Sequence, residues 1–244
     1  MLREVKLISS RRSFEFGPDA IRLSALVSQP VLEHIKRTFN FQSIAIASPM
    51  PTFGPVSTVF PPGIVCNFGV VAGVSSEILP IQLLHIEQTR VVIGLAGTSS
   101  DAERVYATLQ GVLSEFKVSD GSPVLGTPYK MLDSSDYSFK MSHKPSSFLT
   151  PGLRALAERL NGVEEADSSA PVLVPFILMR KFDRDAIYRG SPLGTGAEPT
   201  DWILDLRMGS SANDLTYHSN APLSSDAHLS LIQELDQSLG TETE

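Results

Sequence analysis

Two stretches of this chain, residues 30–40 (PVLEHIKRTFN) and residues 151–161 (PGLRALAERLN), carry one pattern 121 positions apart (151 minus 30). Both read P-x-L-x-x-[IL]-x-x-x-[FL]-N, which places apolar residues on one face of a helix. A second landmark, Ser-Ser-Asp-Ala, begins at Ser99 and again at Ser224, 125 positions apart (224 minus 99). Each copy opens a periodic apolar run. Two landmarks in the same order at nearly the same offset indicate an internal duplication, which predicts two related halves.

The length of the chain is consistent with such a duplication. A chain of 244 residues has room for two units of about 120 residues each. Residues 119–123 (SDGSP) are all turn formers, which predicts a linker between the halves. We therefore expect a first pseudo-repeat at residues 1–118, the linker at 119–123, a second pseudo-repeat at 124–240 and an acidic tail at 241–244.

The apolar periodicity predicts similar elements in both halves. In the first half we expect helices at 29–40 and 100–116, the second opened by a capping box of Ser100 and Glu103. Strands are predicted at residues 2–8, 11–16, 41–47, 64–72, 78–87 and 90–96, with an edge strand at 21–27. In the second half, Thr150-Pro151 predicts a helix start, and a closing helix carries Leu229 and Ile232. Strands are predicted there at residues 124–132, 136–142, 172–182, 202–208 and 215–218.

The order of these elements indicates an α+β fold in which two pseudo-repeats of β-α-β(3-4)-α form a curved antiparallel sheet backed by helices. In tandem copies, this order resembles the fold of the TATA-box-binding protein and its structural relatives. The likeness is carried by the helices at 30–40 and 151–161 and by the strand-then-helix endings at 90–116 and 214–239. It covers most of the chain and implies one continuous curved sheet. It does not by itself imply DNA binding, because a fold does not determine a function.

The charge and the cysteine content exclude several classes of protein. The net charge is −7, and residues 121–244 carry ten basic and seventeen acidic side chains against ten and ten in residues 1–120. An acidic chain is poorly suited to neutralise nucleic-acid phosphates. The single cysteine, Cys66, excludes an intrachain disulfide and a cysteine zinc cluster, and its strand-like surroundings predict a buried thiol. Residues 1–16 have no signal-peptide pattern, so we expect a cytoplasmic protein without a membrane segment.

The sequence contains no strong catalytic motif. The patterns G-x-S-x-G and H-E-x-x-H are absent, and the five histidines stand singly. His85 lies in an apolar strand and is either a hydrogen-bonded sheet histidine or a ligand or base. Four aspartates that could together bind a hard cation leave a metal-dependent hydrolase as one alternative: Asp183, Asp185, Asp201 and Asp205. A solvated face and a turn also account for them, so we expect no catalytic residue, no bound metal and no cofactor.

Two segments remain as candidate binding sites. Arg180, Lys181 and Arg184 form the densest basic cluster, which keeps a nucleic-acid-binding protein as a second alternative. The proline-rich loop at residues 49–62 carries Phe53 and Phe60, which can either anchor a partner or pack on the protein's own core. The sequence therefore favours a non-catalytic interaction protein that binds a protein partner or assembles with itself. The sheet face or the proline-rich loop would provide the contact.

Overall fold

A computed structural model describes residues 2–47, 63–72, 78–143, 145–149, 152–153, 155, 177–180, 201–206 and 215–241. Contacts divide the chain into two compact units. The 9–134 unit consists of Ser9–Ser134, and the 135–244 unit consists of Met1–Ile8 with Ser135–Glu244. Strand β1 (Arg3–Glu15) and strand β6 (Lys130–Lys140) each contribute residues to both units.

The 9–134 unit is an antiparallel sheet with helices. Its helices are α1 (Leu23–Leu26), α2 (Gln29–Phe39) and α3 (Ser99–Ser114), and its further strands are β2 (Ser43–Ala47), β3 (Gly63–Ala72), β4 (Ile78–Glu87) and β5 (Arg90–Leu95). The strands lie in the order β2-β3-β4-β5-β1, and each neighbouring pair is antiparallel.

The described residues of the 135–244 unit also form strands and helices. After β6 come a short 3-10 helix (Pro145–Phe148), β7 (Ile177–Arg180), β8 (Asp201–Leu206), β9 (Thr216–Ala221) and helix α4 (Ser225–Thr241). The strands lie in the order β6-β9-β8-β7, again with antiparallel pairing. The prediction of an α+β protein with an antiparallel sheet and helices is confirmed.

The core of the 9–134 unit lies between the helices and one face of its sheet. On α2 the buried residues are Val31, Ile35 and Phe39, spaced four apart as the sequence pattern predicted. The helix is capped at its C-terminus by Asn40, whose φ of 48° is a left-handed conformation that asparagine tolerates. Phe14 of β1 stacks on Tyr106 of α3 at 3.8 Å between ring centroids, which joins the longer helix to the sheet.

Helix α3 confirms the predicted helix but corrects its cap. The cap is Thr98, whose hydroxyl accepts a hydrogen bond from the Asp101 N–H while the Asp101 carboxylate accepts one from the Thr98 N–H at 2.8 Å. The predicted box of Ser100 and Glu103 is therefore wrong. Its spacing is the same, but the cap lies two residues earlier in the chain.

The predicted edge strand at residues 21–27 is also wrong. Ile21 forms only an isolated bridge with Leu125, and the chain then enters α1, where Leu26 is buried. The strands predicted at 2–8 and 11–16 form one strand, β1, and those predicted at 124–132 and 136–142 are replaced by β6. The helix predicted from Pro151 lies largely outside the described residues.

Candidate interaction site

An irregularity in β3 turns one aromatic side chain outward. Before it, Ile64 and Cys66 point into the core; after it, Val71 packs there, so the inward positions change from even to odd numbers. The change occurs around Phe68, whose φ of 56° is uncommon for any residue except glycine. Phe68 is 63% exposed. The core-facing positions of β4 also change, from odd-numbered to even-numbered residues, between Ile81 and Leu84. The register of β4 against β5 shifts at the same place.

The neighbouring residues explain why the chain takes this conformation. A Cβ atom at Gly69 would lie 2.5 Å from the ring of Phe41 and 2.8 Å from the carbonyl oxygen of Phe39, so only glycine fits. The Phe68 carbonyl accepts a hydrogen bond from the Gln42 N–H at 3.2 Å. The close approach of Gly69 and the bond to Gln42 hold the backbone at Phe68 in its strained state.

Phe68 belongs to an exposed apolar group on β3 and β4, which we call the Phe68 patch. Its other members are Val70, Ile78 and Pro80. Val70 pairs with Pro80 across the two strands, and Ile78 lies two pairs further along and is 71% exposed. Pro80 is exposed and Val70 half-buried. Because the alternate residues of β4 face the core, these side chains point away from it.

Another part of the same sheet face is buried. Val65, His85, Val92 and Ser13 are partners in register across β3, β4, β5 and β1. All four residues are buried. The hydrophobic core cluster contains residues adjacent to them in the sequence but none of the four themselves. The sheet face predicted as a binding surface is therefore not open along this row. Among the described residues of the unit, the large exposed apolar side chains outside the Phe68 patch are Ile46, Tyr129 and Met131.

The buried charges next to this row are paired with each other. The Glu87 carboxylate accepts two hydrogen bonds from Nη2 of Arg90, at 2.9 and 3.0 Å. Nδ1 of His85 lies 3.2 Å from Oε1 of the same carboxylate. This contact gives His85 a partner within the sheet.

Arg12 forms a second internal ion-pair group. Its Nε and Nη2 donate to the two carboxylate oxygens of Asp133 at 2.7 and 3.0 Å, and its Nη1 donates to Glu103 at 2.9 Å. The hydrogen bond to Asp133 raises the pKa of Arg12, and the charges of both carboxylates add to that effect. The Arg12 side chain is only 12% exposed, so its charge serves to join β1, β6 and α3.

The 135–244 unit contains a buried polar group around His228 of α4. Its Nδ1 lies 2.9 Å from the Ser135 hydroxyl and its Nε2 lies 2.8 Å from the Ser219 hydroxyl. The ring of Tyr137 meets the imidazole edge to face at 5.1 Å. His228 and Ser219 are fully buried and Ser135 almost so, which prevents either serine from meeting a substrate.

Most of the site residues predicted from the sequence fall outside the described part of the chain. This applies to Phe53, Phe60, Lys181 and Arg184, and also to Asp183 and Asp185. The backbone of Arg180 pairs with that of Asp201 at the end of β7. Asp205 is exposed, and its carboxylate accepts a hydrogen bond from the Leu206 N–H at 2.7 Å. Among the described residues, no group of three or more His, Cys, Asp or Glu side chains is arranged to hold a metal ion.

Sequence reasoning missed Phe68. One signal was present: in the run from residue 64 to 71, the apolar positions do not keep a single phase of two. The buried-thiol prediction is confirmed, since Cys66 is fully buried and burial raises the pKa of its thiol to about 12.

Among the described residues, no helix is both long and apolar enough to cross a membrane. No model of a known protein family matches this chain, and no curated protein matches it at a significant level.

Proposed function

We propose that this chain is a non-catalytic interaction protein, which binds a protein partner or a second copy of itself through the Phe68 patch. The observation that carries the proposal is the exposed phenylalanine at a φ of 56°. Strained conformations of this kind cost about 1–3 kcal/mol and concentrate at functional sites. An exposed aromatic ring on a rigid strand is also typical of an interface anchor, because little side-chain entropy is lost on binding.

The patch has the composition expected at the centre of an interface. Phe68, Val70, Ile78 and Pro80 are apolar, and the adjacent Asn67 and Gln82 are polar, as in the rim of a binding surface. A stable interface covers more than about 1,000 Å² in total, so neighbouring segments must also contribute. Within this proposal, Phe53 and Phe60 are the expected additional anchors.

We also propose that the chain arose by duplication of a β-α-β(3-4)-α unit into a curved TATA-box-binding-protein-like sheet. Corresponding hydrogen bonds in the two units support it. The Ser10 hydroxyl donates to the Gly97 carbonyl at 2.6 Å, and the Ser135 hydroxyl donates to the Leu223 carbonyl at 3.1 Å. The offsets are 125 (135 minus 10) and 126 (223 minus 97), which agree to within one residue with the offset of 125 between the repeated Ser-Ser-Asp-Ala landmarks.

The helix starts and the strand registers correspond in the same way. Thr98 accepts a hydrogen bond from the Asp101 N–H, and Ser224 accepts one from the Ala227 N–H, 126 positions later in each case. Ser10 pairs with Leu95 across β1 and β5, as Ser135 pairs with Ala221 across β6 and β9. A duplicated scaffold supports an interaction role, since it offers two related surfaces. A cytoplasmic location is part of the same proposal.

A photo-crosslinking amino acid placed at position 68 tests the function. We expect irradiation in cells to link position 68 to a specific protein or to a second copy of the chain, which mass spectrometry identifies. The matched control is the same amino acid at Ala107, an exposed position on α3. Light scattering of the purified protein separates self-assembly from capture of another protein.

The proposal fails if the protein is strictly monomeric and position 68 links no more protein than position 107. Crosslinking at positions 53 and 60, run in parallel, tests the contribution of the proline-rich loop separately. Links from those positions but not from position 68 would move the site from the Phe68 patch to the loop.

A further inference from the structure

The buried group around His228 has only one possible direction of hydrogen bonding. At one end, Nε1 of Trp202 lies 2.9 Å from the Ser219 hydroxyl, and an indole nitrogen can only donate. At the other end, the Ser135 hydroxyl lies 3.1 Å from the Leu223 carbonyl oxygen, which can only accept. The direction of hydrogen bonding is therefore fixed at both ends of this network.

These fixed ends determine the state of the imidazole between them. The Ser135 hydroxyl donates its proton to the Leu223 carbonyl oxygen, so it can only accept a hydrogen bond from Nδ1 of His228. The imidazole therefore carries its proton on Nδ1. Nε2 then accepts the Ser219 proton, and Ser219 accepts from Trp202. The polar protons of Trp202, Ser219, His228 and Ser135 all have an acceptor only when His228 is neutral with its proton on Nδ1.

We propose that His228 is an acid-sensitive latch, which in its neutral form fastens α4 to β6, β8 and β9 and on protonation releases that side of the 135–244 unit. A second ring proton, on Nε2, would point at the Ser219 hydroxyl and leave the Ser219 proton without its acceptor. It would also place a full charge in a fully buried position. Both effects favour separation of the helix from the strands.

The groups around His228 give its charged form little support. Titratable residues on the neighbouring elements include Asp136 and Tyr137 on β6, Tyr217 and His218 on β9, Asp205 on β8 and Asp226 on α4. Trp202 of β8 does not titrate. Asp136 and His218 lie on the opposite face of the sheet, because they alternate with core residues of the same strands.

The balance of these effects sets the pH at which the latch opens. Burial is the largest effect and lowers the pKa of His228 from 6.5 to about 4; a hydrogen bond to the Ser135 backbone and the charge of Asp136 partly oppose it, and His218 adds to it. Since the folded pKa lies below that of the unfolded chain, the stabilisation is complete above pH 6.5. It is lost as the pH falls through the folded pKa.

The chain contains its own reporters for this event. Trp202 is the single tryptophan and takes part in the latch, whereas Cys66 is the single cysteine and lies in the core of the 9–134 unit. As the pH falls from 7 to 3, we expect the tryptophan emission to shift to longer wavelength while Cys66 stays protected from an acid-active thiol reagent such as a dipyridyl disulfide. The variant His228→Gln, which cannot titrate, should lack the emission shift in the range where the wild type shows it. The control His34→Gln in the other unit should behave as the wild type.

Several results would overturn the proposal. One is an emission shift at the same pH in His228→Gln as in the wild type. Another is reaction of Cys66 at the pH where the tryptophan responds, since that indicates global unfolding instead of a local release. If His228→Gln does not fold, nitrogen NMR of the wild-type imidazole at pH 7 decides. A proton on Nδ1 supports the latch, and a proton on Nε2 or a charged ring refutes it.

Discussion

The strained backbone at Phe68 makes a prediction about the order of two substitutions. An L-residue in the left-handed region costs about 1–2 kcal/mol, a cost that alanine retains and glycine does not. Glycine in a strand costs about 0.5–1 kcal/mol in lost chain entropy relative to alanine. At a φ of 56° the first effect exceeds the second, so we expect Phe68→Gly to be more stable than Phe68→Ala by about 0.5–1 kcal/mol.

The stability of the glycine variant relative to the wild type depends on two opposing effects. Phe68 is 63% exposed, so only about a third of its side chain is protected from water. Losing that burial costs about 0.5–1 kcal/mol, because full burial of a phenylalanine is worth about 1.5–3 kcal/mol. Relief of strain offsets this loss, and we expect the free energy of unfolding of Phe68→Gly to lie within about 0.5 kcal/mol of the wild type.

Val70 provides the matched control, because it lies on the same strand and its φ is not positive. There, Val70→Gly should be less stable than Val70→Ala by about 0.5–1 kcal/mol, the ordinary order in a strand. Urea unfolding followed by circular dichroism measures all four variants, and the midpoints give the order without long extrapolation. Equal or greater stability of Phe68→Ala relative to Phe68→Gly would show that the backbone at this position is not strained, and the argument for a site there would lose its basis.

Three further predictions concern the interior of the 9–134 unit. Gly69→Ala should lower the free energy of unfolding by about 2 kcal/mol, because its methyl group would overlap the ring of Phe41; urea unfolding measures it, and a neutral effect would contradict the proposed close approach. Arg12→Lys should lower the free energy of unfolding by about 1–3 kcal/mol, because lysine cannot pair with both oxygens of Asp133. A double-mutant cycle with Asp133→Asn should show coupling of at least about 0.5 kcal/mol, and simple additivity would refute the pair. Cys66 should react with Ellman's reagent at pH 8 only after denaturant is added, because burial raises its pKa to about 12; rapid reaction of the native protein would contradict its burial.

The regular parts of the fold could be predicted from the sequence because their side chains follow one period. The apolar spacing of Val31, Ile35 and Phe39 is that of a helix, and the alternation in β8 placed Trp202 and Leu204 on the buried face. Prediction failed where several neighbouring residues could form the same local structure at similar energy, as at the start of α3. Thr98 lies beside two serines that can also cap a helix, and the choice among them depends on tertiary packing, which buries Ser99.

The candidate site escaped prediction for a related reason. A conformation such as that of Phe68 depends on the approach of Phe41 and Gly69, which local sequence preferences do not describe. The role of His228 depends on Ser135, which is 93 positions away (228 minus 135).

The division of β1 between the two units has a consequence for synthesis of the chain. Lys140 contacts Glu4, and the Asp236 carboxylate accepts a hydrogen bond from the Leu2 N–H. Ribosomes add about 5–20 residues per second, so the first segment emerges about 10–50 s before its last partner has been made. Residues 2–8 have no strand to pair with until β6, the neighbour of β1 in the sheet, has been made, and in the meantime they are open to chaperones and to strands of neighbouring nascent chains.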